Sequence, residues 1–387
     1  MEHGDGNNTT INTRGYLAVC NEMFDVALTQ PAALRCLELF SGIGGFHYAL
    51  KESGIRFEML AAFDINDVAN AIYKHNFPCT TVHQCNIQAL TSEFYDRQCA
   101  DLWTMSPPCQ PFTKKGMQRD VDDRRCDALM RICTALERMH EPPRFIFLEN
   151  VCGFETSTAH SIFVEVLAKL HYHMQVSSKR MGYFKEFILS PVDLGIPNSR
   201  PRYYLLAKRQ LDSSVVDATP GVILTKLPDC MISVNMRSTK CIGEYVHDEC
   251  DHETQLMVNV RIAGRYAKGI DMVTRNSRRS SSFTKSYSVF IGSSGPLLVS
   301  APEYEMENPK TEELIKRISE AKNIDEQTAA ISPLRLRYFS WREVADLMGF
   351  PYNFSKPQSV TQKQMYRALG NSINVNVVAV LLRYLLS

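Results

Sequence analysis

From Leu34 onward the chain switches repeatedly between two hydrophobic patterns, and this alternation restricts the fold more than any other feature. LRCLELF reads as a buried strand, SGIGG as a tight loop and FHYALKES as a helix. FEMLAAFD is a second strand and VANAIYKHN a second helix. DLWTMS, residues 101–106, is a further strand, DALMRICTALERM carries apolar residues at helical spacing, and RFIFLENV is a strand after the break EPPR. RYYLLAK, residues 202–208, closes the run. Strands alternating with helices predict a parallel sheet covered by helices on both faces.

The regularity stops near residue 211. Residues 211–339 are polar and irregular, with short strand candidates, a serine- and arginine-rich stretch SRRSSSFTKSYS (277–288) and a turn IGSSGP. This segment reads as an inserted second domain. Regular patterning then returns: WREVADLMGFP is helical up to Gly349, with Pro351 as a stop. The last stretch, NVNVVAVLLRYLLS, is apolar on nearly every side, and such a helix must be buried. Its expected partner is the first sheet, so the two ends of the chain build one domain around the insert. The organisation expected is a flexible extension over 1–31, the first part of the main domain over 32–210, the insert over 211–339, and a return to the main domain over 340–387.

Charge and cysteine usage narrow the function classes. Lys plus Arg is 43 and Asp plus Glu is 42, a formal net charge of +1. A polyanionic partner must therefore be held by a local basic patch. The 12 cysteines include no CxxC pair and many lie in apolar runs, such as Cys36. That pattern fits reduced thiols in a cytoplasmic or nuclear protein. The N-terminus lacks the layout of a signal peptide, and no apolar run approaches the roughly 18 to 20 residues that span a membrane, so no membrane partner is expected. CIGEYVHDECDH offers Cys241, His247, Cys250 and His252, which are zinc-ligand types, but their spacing fits no standard finger and no metal is expected.

Four stretches carry chemistry. FSGIGG follows a strand and opens a helix, so its backbone can approach a ligand at a helix N-terminus. Asp64 ends the next strand, 20 residues after Gly44, where an acid grips ribose hydroxyls. An adenosyl cofactor follows, with NAD and S-adenosylmethionine both open at this point. SPPCQPF places Cys109 after the C-terminal end of a strand, on the ligand-binding edge of such sheets, in a frame stiffened by Pro107, Pro108 and Pro111. Lys114 and Lys115 follow closely, either to lower the thiol pKa or to bind phosphate. RFIFLENV brings Glu149 to the same edge, where partial burial would raise its pKa. NSRPRYYL supplies Arg200 and Arg202, either of which could orient Glu149 or favour the thiolate.

Taken in order, FSGIGG, SPPCQPF, LENV, SRPR and GNSINVNVV resemble the motifs of cytosine-5 methyltransferases, over 34–208 and 332–387 with the insert in its expected place. AAFDIN, YKHNFP, LGIPNSRPRYYLLAK, SFTKSY and LRLRYFSWREVADLMGFP resemble the small eukaryotic branch that carries the DNA-methyltransferase fold but methylates tRNA. The resemblance implies an α/β, Rossmann-like fold with a mostly parallel sheet and a smaller inserted target-recognition domain. It implies S-adenosylmethionine as cofactor, held by Ile43, Gly44, Gly45, Asp64, Ile87, Gln88, Ser106 and Ser372. By the same resemblance Cys109 is the nucleophile, Glu149 contacts ring nitrogen 3 and the exocyclic amine of cytosine, and Arg200 and Arg202 are the paired arginines of the site. The implied substrate is tRNA, with cytosine 38 in the anticodon loop of aspartate tRNA favoured. Duplex DNA is the alternative, and a non-catalytic nucleic-acid-binding relic comes third. Lys114, Lys115, Arg275, Arg278, Arg279 and Lys285 are the candidate phosphate contacts. One departure is clear: the branch carries Cys-Phe-Thr in the insert where this chain has Ser282, Phe283 and Thr284.

Overall fold

The alternating pattern folds as consecutive strand–helix units. In the computed structural model, residues 32–108, 126–173, 185–209, 222–228, 231, 238–252, 254–305 and 308–387 are described. The 1–31 extension lies outside them. The main sheet is built from β1 (Leu34–Leu39), β2 (Phe57–Asp64), β3 (Val82–Gln84), β4 (Leu102–Met105), β5 (Phe145–Val151), β6 (Tyr172–His173), β7 (Lys185–Leu189) and β8 (Arg202–Arg209). Between them run α1 (Gly45–Ser53), α2 (Asp67–Asn76), α3 (Ser92–Gln98), α4 (Asp127–Arg138) and α5 (Thr158–Lys169). The spatial order is β3-β2-β1-β4-β5-β8, with β6 and β7 placed one after the other along the outer edge of β8. β1 to β5 are mutually parallel, while β8 runs antiparallel to β5. The C-terminal ends of β1 to β5 therefore share one edge.

The insert is more regular than its sequence suggests. It holds α6 (Val260–Tyr266), β9 (Met272–Val273), β10 (Leu297–Val299), α7 (Pro309–Glu320), α8 (Ile324–Ile331) and β11 (Leu336–Arg337). The three strands form a small sheet, ordered β11-β10-β9. The expectation of a largely irregular segment is corrected here for 309–331. α7 was hidden because its inward stripe is narrow, only Thr311, Leu314 and Ile318 being buried on an otherwise polar helix.

The chain then returns through α9 (Trp341–Leu347), α10 (Gln362–Gly370) and α11 (Val375–Leu386). Gln362–Leu386 is long and apolar enough to cross a membrane by length and composition. The sequence pattern hides this, because α11 alone is too short to span. The stretch breaks between α10 and α11, where Asn374 caps α11, and 67% of its apolar window is buried.

Side-chain alternation along the strands feeds two cores, one on each face. Cys36, Phe147, Tyr204 and Leu206 point into the core shared with α1, α2 and α11, while Leu37, Ile146, Leu148, Tyr203 and Leu205 point into that under α4 and α5. Strands buried on both faces read as continuous apolar runs, which is why these were visible in the sequence. α11 packs on α1 and β8, so the final helix does lie against the first sheet. A buried ion pair ties the insert to the returning chain. Arg337 and Glu343, both fully buried, meet in two 2.9 Å hydrogen bonds, and Glu343 also accepts from the backbone of Ser340 and His247.

Candidate active site

The glycine loop sits where β1 turns into α1. Gly42 and Gly44 have left-handed φ values of 51° and 84°. A Cβ on Gly44 would come within 2.8 Å of the Phe77 ring, and one on Gly45 within 2.6 Å of Ile373. These two positions thus need glycine for close packing. A Cβ on Gly42 would meet nothing within 4 Å, so that position faces open space. Asp64, at the end of β2, reaches back to the loop. Its Oδ2 accepts from the Gly42 amide at 2.8 Å and its Oδ1 from Asn66 at 2.8 Å. Burial raises its pKa, and these amide donors oppose that shift. With the Ile65 amide as a third backbone donor, the carboxylate keeps at least one lone pair for a further donor.

The neighbouring strands complete this half of the edge. Ile87, buried, and Gln88 lie in the turn after β3, held by Asn86, whose side chain accepts from the Gln88 amide. Ser106 follows β4 and donates to the carbonyl of Phe40 at 3.3 Å. The Ser372 side chain faces Gly45 across the start of α1. These residues fit an adenosyl group on the structure's own terms. Ser41 Oγ is buried with no hydrogen-bond partner among the described residues, Gly42 opens onto free space, and Ile65, next to Asp64, is 68% exposed.

Under the loop lies a network that the motifs do not announce. Glu38, in the middle of LRCLELF, is fully buried. It accepts from the Phe46 amide at 3.2 Å and from the Tyr73 hydroxyl at 2.7 Å, and Tyr73 in turn meets His47 Nδ1 at 2.9 Å. Burial pushes Glu38 up to about 8 and His47 down to about 3. The histidine is thus neutral and the carboxyl mostly protonated at neutral pH. The available signal was the carboxylate itself, since a charge at the centre of a buried strand needs partners.

The other half of the edge holds the second cluster. Glu149, buried on β5, lies 3.4 Å from Arg202 Nε at the start of β8. Burial raises the Glu149 pKa, while Arg202 and Arg200 pull it down. The adjacent Asn150 donates to the carbonyl of Pro107 at 3.4 Å, joining the Pro-Pro turn to this strand. The two arginines part company. Arg202 lies against Glu149, but the buried Arg200 spends its guanidinium on three carbonyls: Phe283 at 2.8 Å, Gly370 at 2.9 Å and Ser372 at 2.7 Å. Arg200 therefore braces the site instead of touching Glu149 directly. Cys109, Lys114 and Lys115 lie outside the described residues.

Of the basic residues proposed from sequence in the insert, Arg279 and Lys285 are exposed. Arg275 is engaged by Asp248 at 2.8 Å, and Arg278 donates to the carbonyl of Thr239. Ser282, the departure noted above, donates to the carbonyl of Ser199 at 2.7 Å. His247 is held by Asp346 at 3.0 Å, and among the described residues no three His, Cys, Asp or Glu side chains gather as a metal site. A cleft of about 210 Å³ between α11, Leu194–Ile196 and Lys240 is lined by none of these site residues.

This edge is that of an α/β fold with two clusters, a glycine loop and Asp64 over β1 to β3 and an acid- and arginine-lined cluster over β5 and β8. The family follows from comparison: residues 34–387 match the C-5 cytosine-specific DNA methylase family, and the chain belongs to it. This family draws its methyl group from S-adenosylmethionine. The chain is 36% identical to a tRNA (cytosine(38)-C(5))-methyltransferase of Homo sapiens, over 91% of this chain and 99% of that protein. It is 32% identical to a DNA (cytosine-5)-methyltransferase of Dictyostelium discoideum, over 92% and 94%. A crystal structure of a substituted Spodoptera frugiperda DNMT2 superposes with a TM-score of 0.77 at 33% identity, covering 92% of this chain and all of that one.

Proposed function

We propose that this protein methylates carbon 5 of cytosine in tRNA, at position 38 of the anticodon loop, with aspartate tRNA the favoured substrate and S-adenosylmethionine the donor. The observation that carries the reading is the buried Glu149–Arg202 pair, on the strand that Asn150 ties to Pro107, two residues before Cys109. The similarity to tRNA (cytosine(38)-C(5))-methyltransferases over 91% of the chain supports the choice of substrate.

Carbon 5 of cytosine is a poor nucleophile. The Cys109 thiolate adds at carbon 6, and the ring electrons are pushed towards nitrogen 3 and carbon 5. Glu149, with its pKa raised by burial, holds a proton at nitrogen 3 and neutralises the charge that develops there. Arg202 keeps the Glu149 carboxyl turned towards the base and limits how far its pKa rises. Asp64 and the amides of the glycine loop would hold the cofactor, with Ser372 opposite. When bound, S-adenosylmethionine supplies a sulfonium methyl group that the activated carbon 5 attacks. A base, water or a nearby group, then takes the carbon 5 proton, and the electrons of the carbon–hydrogen bond restore the ring double bond as the Cys109 thiolate leaves carbon 6. A base in a loop costs less to extrude than one in a duplex, which suits an anticodon target.

The Dictyostelium relative keeps a DNA substrate as the second reading. Incubation with labelled S-adenosylmethionine and either total tRNA or duplex DNA separates the two. Label in tRNA that disappears in Cys109→Ala supports the proposal. Label mainly in DNA overturns the substrate, and no label in either overturns the activity.

A further inference from the structure

The insert carries a surface that the reaction above does not use. On α6, Ile262 and Tyr266 are one turn apart and are 49% and 46% exposed. Beside them Val289 and Phe290 are 47% and 63% exposed. The loop that follows Phe290 passes beside α6, because a Cβ on Gly292 would lie 3.8 Å from Tyr266 Cβ. Large apolar side chains exposed on neighbouring segments offer an interaction surface.

Charge selects the partner. From Thr254 to Pro302 the chain has seven Lys and Arg but one acid, Asp271, in a protein whose total charge is only +1. The Asp271 carboxylate is bonded to the Ser281 amide. Arg261 and Arg265 are exposed on α6, one turn apart like the apolar pair, and Lys285 is exposed just ahead of Phe290. Among the described residues none of these three has an ion-pair partner. Aromatic side chains within a basic field are what single-stranded nucleic acid requires: bases stack on the rings and phosphates meet the cations.

Position agrees. The segment that leads to Phe290 begins at the site. The Ser280 carbonyl accepts from the Ser199 amide, the Phe283 carbonyl from Arg200, and a Cβ on Gly370 would strike the backbone of Thr284 and Lys285. From Phe283 to Phe290 is seven residues, at most about 25 Å even if fully extended. We propose that Tyr266 and Phe290, with Ile262 and Val289, form a platform on which unpaired bases of the RNA substrate stack near the target, while Arg261, Arg265 and Lys285 hold the adjoining phosphates. This rests on the RNA reading above and deepens it.

The test uses the full chain, a tRNA transcript and the anticodon-arm hairpin cut from it, with affinity measured by fluorescence anisotropy across a salt series. Tyr266→Ala/Phe290→Ala is compared with Tyr266→Phe/Phe290→Trp and with Arg265→Gln/Lys285→Gln. The alanine pair should weaken RNA binding about 5-fold to 150-fold per stacked base, with the salt slope unchanged. The aromatic pair should restore affinity, and the charge pair should flatten the slope by roughly 0.7 for each single-strand phosphate it no longer neutralises. S-adenosylmethionine affinity should be the same in all, which shows that the fold is intact. RNA affinity of the alanine pair within about twofold of the parent would overturn the platform, because loss of even one stacked base exceeds that. Loss of a dimer by the alanine pair in sedimentation, with RNA affinity kept, would give the surface to a second copy instead. If the parent chain neither binds nor methylates RNA, the functional reading and the platform fail together; binding with an indifferent patch removes the platform alone.

Discussion

Glu38→Gln should make the stability of this protein depend less on pH, in a direction fixed by the burial of the carboxyl. In the folded chain Glu38 is raised from 4.5 to about 8. A carboxyl whose folded pKa lies above its unfolded value binds more protons when folded. Stability therefore falls as pH climbs from the unfolded pKa to the folded one, and is level outside that window. Between about pH 5 and about pH 8.5 this single group should remove on the order of 4 kcal/mol from the parent. Glutamine cannot ionise, but its amide nitrogen cannot accept from Phe46 or Tyr73 either. The variant should begin about 1 to 3 kcal/mol less stable at the acid end, the cost of one poorly satisfied buried group. The deficit should then shrink, and close or reverse, at the alkaline end. With a slope of about 3 kcal/mol per molar urea, the gap between the two unfolding midpoints should move by roughly 1 M across the range. Groups that titrate alike in both proteins cancel in that difference. A gap that stays constant with pH would refute the reasoning, since Glu38 would then hold the same protons folded and unfolded.

Three further outcomes follow from the same geometry. Arg200→Lys keeps the charge but not the fork that serves three carbonyls, so it should cost about 3 to 5 kcal/mol and raise KM for S-adenosylmethionine more than it lowers kcat, read from urea midpoints and initial rates. Glu343→Ala removes the carboxylate that faces the fully buried Arg337 and should cost about 3 to 5 kcal/mol, whereas Arg337→Met/Glu343→Leu should recover only the part due to the uncompensated charge, because the Ser340 and His247 amides still lose their acceptor; equal losses in both would contradict the account. Glu149→Gln should lower kcat by about 100-fold to 10,000-fold with RNA and cofactor affinities unchanged, as expected of a group that acts on a proton in the transition state.

The strands of the main sheet were legible because burial on both faces leaves a continuous apolar run, as in LRCLELF and RFIFLENV. β6 and β7 were not. Tyr172–His173 is two residues long, and both segments owe their extended form to pairing with β8, which no local window contains. Asp64, Glu149 and Arg202 could be placed from motifs, since each ends or begins a recognisable strand. Glu38 was hidden by the same apolar run that revealed its strand. Arg200 and Arg202 look equivalent in SRPR; what separates them is a set of carbonyls from residues 283, 370 and 372, far along the chain.

Apolar packing alone would not set the substrate-facing segment against the catalytic pair. The core beneath α1 and α11 continues into the insert through Phe283, Tyr287 and Leu298, so the two parts share one apolar cluster. Such packing is non-directional, and it resists separation better than it resists sliding. Direction comes from the bonds laid across the junction. The Asn198 side chain donates to the carbonyl of Ser281, the Ser199 amide to Ser280, the Ser282 hydroxyl to Ser199, and Arg200 to Phe283. Each is a fixed pairing between residues about eighty apart, and together they run to within two residues of Arg202. A slip by one residue would leave several buried groups unpaired, at about 1 to 3 kcal/mol each. The polar residues of NSRPR and SRRSSSF, read from sequence as a source of site arginines and of phosphate contacts, thus act largely as a register. They hold the face that would meet RNA at one fixed offset from the acid that would meet the base.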